Sequence, residues 1–464
     1  MRKDCPEDMP KAAKSLLIIG CAAILVWLYC SGAVRHSKER NTDMKATDQR
    51  AFMRYAISIH GLIHDNEQSY VDGARGPLYP LLQSLVYRPD LTREEHFVRG
   101  KYFNIGLSLA ILVGVHFILR EYLPGLYAAT LTVVTAFTVF IFKAAYFHPA
   151  LLFYFLSFSA YILMCRNLLV PNWKSSILTG LTIGLAYLTK AAMLPALGLF
   201  IVFSLARIGD SIYARWTNRS RVASPGEGDK RPMFRLLCVT LVVLSFLGTI
   251  YRFIVDNKEV FGRYFYNVST TFYVWYDSWE EAKRGTRAYG DRDGWPGMPP
   301  EEIPSVGKYL REHTPQQIID RILNGLKRVH VVCRKSYGYY KYVLIYLLSF
   351  LILVGLNSRY NAGWATQHLF TLLFSLSYFA VYLLGYAWYS PISSGNRHVL
   401  AQFLPFMFSV SYGISKQPSI RISVPSTNLR FMLSNLMHLS VLFLLGFDTY
   451  FILTERIVTM YGGR

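Results

Sequence analysis

Apolar residues in this chain gather into runs long enough to cross a bilayer, divided by short polar stretches and by two long ones. The runs read as residues 14–34, 102–120, 122–142, 146–165, 175–190, 191–206, 234–255, 341–356, 366–388, 398–415 and 432–453. The pattern predicts an all-α polytopic membrane protein: one membrane domain over residues 1–464, with about eleven transmembrane helices. Arg2, Lys3, Lys11 and Lys14 precede the first run, as they would in a signal peptide. The run is long, however, and lacks a clear small-residue cleavage site before Val34, so a retained helix is expected. Lys190 separates two short runs; a single tilted helix there would invert the sidedness of everything downstream.

Loop charges orient the spans. With the N-terminus in the cytoplasm, the basic connection 207–235 is cytoplasmic, together with Arg166 and Lys174, Arg359, and Lys416, Arg421 and Arg430. This agrees with the positive-inside rule and supports a break at Lys190. Two long segments, 35–100 and 256–340, then fall on the outer face. Phe52, Tyr55, Ile59 and Ile63 follow Asp48 at helical spacing, as in a helix lying on the membrane surface. Thr92 with Glu95 reads as a capping box, and so does Thr314-Pro315-Gln316-Gln317. After the second box, Ile318, Ile319, Ile322, Leu323 and Leu326 give another interfacial face.

Composition agrees with this reading, at 52% hydrophobic and only 17% charged residues. The net charge of +20 is spread over short loops without a nucleic-acid-binding motif. Anionic lipid head groups or a phosphate-bearing lipid account for it better, and no nucleic acid partner is expected. Six scattered cysteines do not form a disulfide framework.

The chemistry-bearing residues collect on the outer side. The first outer loop runs from Asn41-Thr-Asp43 through Asp48-Gln-Arg50 to Gly73-Ala-Arg75-Gly-Pro77-Leu-Tyr79-Pro80. Lys143-Ala-Ala-Tyr146-Phe-His148-Pro149 opens the fourth span, Gly184-Leu-Ala-Tyr187-Leu-Thr189-Lys190 ends the fifth, and Asn396-Arg397-His398 precedes Pro405. In these stretches, most of 40–200 and a short part near 390–410, the chain resembles the C-type glycosyltransferase superfamily (GT-C). Within it, the likeness is to the protein O-mannosyltransferase and aminoarabinose-transferase-like branch. His148 departs from the acidic or polar residue commoner there, and 256–340 matches nothing in that family.

The resemblance implies a hexosyl- or pentosyltransferase of the bacterial inner membrane or an endomembrane. Its partners would be a polyprenyl-phosphate-sugar donor, a glycan, lipid or protein acceptor, and the membrane lipids. Such a reaction needs a carboxylate to take the acceptor's proton, and Asp48 suits that role. It also needs fixed cations for the lipid-phosphate leaving group, which Arg75, Lys190 and Arg397 could supply.

Simpler roles stand beside these. Asp48 could cap the surface helix, Arg75 anchor at the interface, and Lys190 and Arg397 snorkel to head groups. Asp43, Tyr79, His148 and His398 are candidates for substrate positioning; Asp43 otherwise solvates its loop, and His148 otherwise packs as a satisfied polar group. No metal site is favoured, since the expected second ligand, His148, is not a carboxylate, and His60 with His64 near Asp65 lacks a further ligand. Tyr264, Tyr266, Tyr273, Trp275, Tyr276, Asp277 and Trp279 form an aromatic-rich stretch that reads first as an interfacial belt and second as a sugar or acceptor platform. A transporter or flippase of a lipid-linked saccharide is the alternative, and would require paired mid-membrane charges and related halves.

Overall fold

The structure, a computed structural model, describes residues 11–64, 71–217, 232–336, 339–393, 395–418, 420–423 and 430–460. Residues 218–231, about half of the expected basic loop, and Asp65 lie outside these. The fold is all-α and polytopic, apart from two short antiparallel strands, β1 (Arg421–Ser423) and β2 (Arg430–Met432).

Nine helical stretches among the described residues are long and apolar enough to cross a membrane. They comprise α1 (Lys11–Glu39, from Ser15), α4 (Arg93–Tyr122), Gly125–Ala144, α7 (Ala150–Leu169), Ala191–Ala214, α10 (Pro232–Phe261), α15 (Tyr339–Leu356), α17 (Leu369–Tyr389) and Leu433–Thr459. The expected runs 175–190 and 398–415 are shorter helices. The first is α8 (Trp173–Thr189), of 17 residues; the second divides into α18 (Arg397–Leu400) and α19 (Phe403–Ser415).

Gly125–Ala144 contains α5 (Gly125–Thr135), a π turn at Ala136–Phe140, and α6 (Ile141–Ala144). Between the long helices lie α2 (Gln49–His64), α3 (Leu78–Ser84), α11 (Val268–Thr271), α12 (Trp279–Arg284), α13 (Val306–Glu312), α14 (Pro315–Lys335) and α16 (Ser358–Gln367). The helix within Ala191–Ala214 is α9 (Leu194–Trp216), and α20 (Leu433–Phe451) with α21 (Ile457–Thr459) closes the chain.

The boundaries follow local chemistry. Thr92 accepts from the Glu95 amide while Glu95 reaches back to the Thr92 amide, so α4 begins well before residue 102. The Thr314–Gln317 box, with Pro315 in the first turn, starts α14 in the same way. At Lys190 the backbone turns extended (φ −160°, ψ 127°), ending α8. Arg207 near the end of α9 then donates to the Leu168 carbonyl at the end of α7. Residues from the starts of α8 and α10 line the same small cavity. The end of α9 therefore returns to the level where α8 began, and the chain reverses at Lys190.

The aromatic stretch after α10 departs from the belt expectation. Phe261, Tyr266, Val268, Phe272, Tyr273 and Ala282 make a second, smaller core, with Tyr276 and Trp279 packed against it. Tyr264 and Phe265 are exposed, at 53% and 46%. Half the rings face inward because the segment folds on itself rather than lying flat.

Candidate functional site

Four segments distant in sequence converge on Asp48. Its Oδ1 accepts from Arg75 Nη2 at 3.0 Å, and its Oδ2 from Arg397 Nη1 at 3.1 Å. The same Arg397 nitrogen lies 3.1 Å from His148 Nε2. Lys190 Nζ stands 3.0 Å from His398 Nδ1, on the residue next to Arg397. Asp48, Arg75, His148, Lys190, Arg397 and His398 thus form one contiguous cluster. Asp43 stays outside it: exposed, its carboxylate caps the Lys45 amide in a local turn. Tyr79 is fully buried, accepts from Gln83, and packs edge-on against Phe52 and Phe147. It is buried beside the cluster.

The backbone holding each group is firmly constrained. Thr47 adopts φ 63°, a strained conformation for a β-branched residue, immediately before Asp48. Gln49 then spans two loops: its Oε1 accepts from Asn41 and from the Phe147 amide, while its Nε2 donates to Asn41. Asn104 donates to the carbonyls of Ala144 and Tyr146, completing the support beneath His148. On the other side, Lys143 donates to Asn396 and Tyr154 to the Arg397 carbonyl. A Cβ on Gly76 would sit 2.0 Å from the Leu188 carbonyl oxygen. The Arg75 turn can therefore rest on the end of α8, beside Lys190, only because residue 76 has no side chain.

Arg75 makes a buried 2.6 Å pair with Asp72, and its Nε donor, also buried, has no partner among the described residues. The segment 256–340 clamps the same turn. Val268 donates its amide to the Gly73 carbonyl, and Asn267 its side-chain amide to the Ala74 carbonyl. The Asn267 side-chain oxygen meanwhile accepts from the amides of Ser269 and Thr270, capping α11.

Charge is unevenly distributed. Partial burial raises the Asp48 pKa, but Arg75 and then Arg397 outweigh it and hold the carboxyl well below its usual range. Burial, followed by Arg397, keeps His148 well below the usual histidine value, so it is neutral at pH 7. Burial opposes the charged form of Arg75, but Asp72 and Asp48 raise its pKa above the usual arginine value. Three cations from three segments, Arg75, Lys190 and Arg397, thus gather around two carboxylates, Asp48 and Asp72. Among the described residues, no carboxylate lies within ion-pair distance of Lys190. Asp48, 38% exposed, and Arg397, 27% exposed, are the accessible edge. No group of three or more His, Cys, Asp or Glu side chains placed to hold a metal ion occurs among the described residues. His60 and His64 stack with ring centroids 4.3 Å apart, and His60 Nδ1 lies 3.3 Å from the Ser84 carbonyl oxygen.

The sequence reading passed over Asp72, Gln49, Lys143 and Asn396 as parts of this assembly. Asp72 carried a local signal, an acid three residues before Arg75 in a Gly-rich turn. The other three are polar residues whose partners lie far along the chain.

No family model matches the chain, and no curated protein matches it by sequence. Two solved structures are similar in fold. One is the archaeal oligosaccharyltransferase AglB from Archaeoglobus fulgidus in complex with an inhibitory peptide and a dolichol-phosphate, with TM-score 0.42 and 12% identity over 94% of this chain. The other is the Archaeoglobus fulgidus oligosaccharyltransferase in the apo form, with TM-score 0.41 and 12% identity over 95%. The chain spans 56% of the length of each.

Proposed function

We propose that the chain is a membrane glycosyltransferase of the GT-C type that moves a sugar from a polyprenyl-phosphate donor to an acceptor hydroxyl at the outer face. One observation carries the reading: Asp48 is gripped by Arg75 and Arg397 from opposite ends of the sequence, beside Lys190. That is a carboxylate base within a cationic cradle fit for a phosphate. The unpartnered Arg75 Nε supplies a further donor. The cluster joins loops and helix ends, where the transporter alternative calls for paired charges at mid-membrane.

The chemistry is a single displacement. The acceptor oxygen attacks the anomeric carbon, the bond from that carbon to the phosphate oxygen breaks, and polyprenyl phosphate leaves with both electrons. The acceptor's proton passes to Asp48. With both its oxygens engaged by guanidinium groups, Asp48 is a weak base. A donor phosphate competes for those same N–H groups, and in doing so releases the carboxylate to act as base. Neutral His148, beside Arg397, and His398, beside Lys190, orient the two cations.

The test incubates purified protein in lipid nanodiscs with a panel of polyprenyl-phosphate sugars and acceptors. Release of polyprenyl phosphate is expected from the native chain, with Asp48→Asn slower by about 10²- to 10⁴-fold. Full activity in Asp48→Asn removes Asp48 as base, and no release from any donor removes the transferase reading.

A further inference from the structure

Beyond the cluster around Asp48, the second outer segment encloses a cavity of about 450 Å³. Trp275, Tyr276 and Tyr309 supply its rings, and Tyr309 stacks face to face on His313 with centroids 3.9 Å apart. The volume lies within the range of sites that hold small organic ligands.

The frame of the cavity is rigid. Arg321 of α14 uses all three of its nitrogens: Nε to the Trp388 carbonyl, Nη1 to Asp277 and the Tyr309 hydroxyl, and Nη2 to the carbonyls of Val274 and Tyr276. Its guanidinium lies over the Trp388 ring at 4.5 Å. Gly325, one turn further along α14, lets that helix rest on the Ala387 carbonyl of α17. The walls are therefore fixed before any ligand arrives.

The chemistry differs from that of the Asp48 site. Asp277 is satisfied by Arg321, Tyr309 and His313, and Glu281 caps α12. Glu312 lies 3.8 Å from Lys308. Glu302 and Arg284 complete the lining with one acceptor and one donor group. Carboxylates outnumber cations, so the cavity does not favour a phosphate. Aromatic surface edged by both donors and acceptors matches a neutral polyhydroxylated ring, whose C–H face stacks on arenes while its hydroxyls bond at the edge. The location suits an acceptor. Trp275 lies 6.1 Å from Trp388, whose neighbour Tyr389 meets His398 edge-on at 6.0 Å, and Val268 of the same segment is bonded to the Arg75 turn.

We infer that this cavity is a subsite for a neutral saccharide of the acceptor, an assignment that rests on the glycosyl-transfer reading. The lipid phosphate and the acceptor are thereby kept apart by charge, with cations at Asp48 and carboxylates here.

Binding needs no donor, so the test is separable from turnover. Full-length protein in nanodiscs is applied to an array of fluorescently tagged neutral oligosaccharides, with short peptides as comparison. Trp275→Ala is expected to weaken the best glycan by about tenfold, the loss of one stacking contact. Glu302→Gln, at an exposed position that leaves folding intact, is expected to weaken it several-fold. Binding to peptides in place of glycans, no glycan bound above background, or affinity unchanged in both cavity variants overturns the inference. Glycan binding without release of polyprenyl phosphate retains the subsite and overturns the transferase reading instead.

Discussion

Asp48 and Arg397 stand 349 positions apart in the chain, yet their side chains meet at 3.1 Å. The pair joins the start of α2 to α18. It also sets the protonation behaviour of the site.

The Asp48 carboxyl is held below its ordinary range, so its ionised form contributes stability fully present above about pH 4. That contribution is lost as pH falls through the depressed value. In kcat/KM for the donor, which reports the free enzyme, the acid limb is expected below about pH 4. In kcat the limb is expected at higher pH, because bound phosphate draws the guanidinium groups away. Parallel pH profiles over a stable range check this; coincident limbs would show that phosphate does not compete with Asp48.

Asp72→Ala removes the tighter of the two partners of Arg75 and leaves a buried guanidinium partly uncompensated. A loss of about 3 kcal/mol in stability is expected, read as a lower unfolding midpoint in detergent. Asp72→Glu should recover little of it, since the 2.6 Å geometry leaves no room for a further methylene.

Gly76→Ala drives a methyl into the Leu188 carbonyl. The obstacle is backbone, so the Arg75 turn must lift from α8. The donor KM is expected to rise about tenfold or more, with a stability loss of about 1–3 kcal/mol. Titration with polyprenyl phosphate alone separates the two effects.

Gln49→Leu keeps the volume but leaves the Phe147 amide and Asn41 without their partner. A cost of about 1–3 kcal/mol is expected. A fall in kcat larger than any change in donor KM would identify Gln49 as a positioning residue for Asp48 and His148, and equal falls would assign it to stability alone.

Much of this architecture was legible in the chain. The apolar runs and the two capping boxes are local signals, and they set helix ends to within a few residues at Arg93 and Pro315. Asp48, Arg75, Lys190 and Arg397 stood out because charge beside an apolar run is costly and therefore noticeable. Asp43, in the same loop, stood as a lesser candidate beside Asp48. Only the fold separates them, turning one toward the guanidinium groups and leaving the other in a solvated turn. The aromatic stretch was read as a belt because rings near a membrane edge have the same composition whether they face lipid or each other. Its inward packing depends on Arg321, some 45 residues later, gathering the Tyr276 carbonyl, and no local pattern announces that.

The reversal at Lys190 also acts as a ruler. With only that residue between the end of α8 and the following turn, there is no slack to absorb a change in helix length. One residue inserted in α8 would raise its end by about 1.5 Å and rotate it by about 100°, swinging the ammonium group out of the cradle. The position of Lys190 beside His398 is thus encoded in a residue count, and α8 should tolerate substitution far better than insertion or deletion.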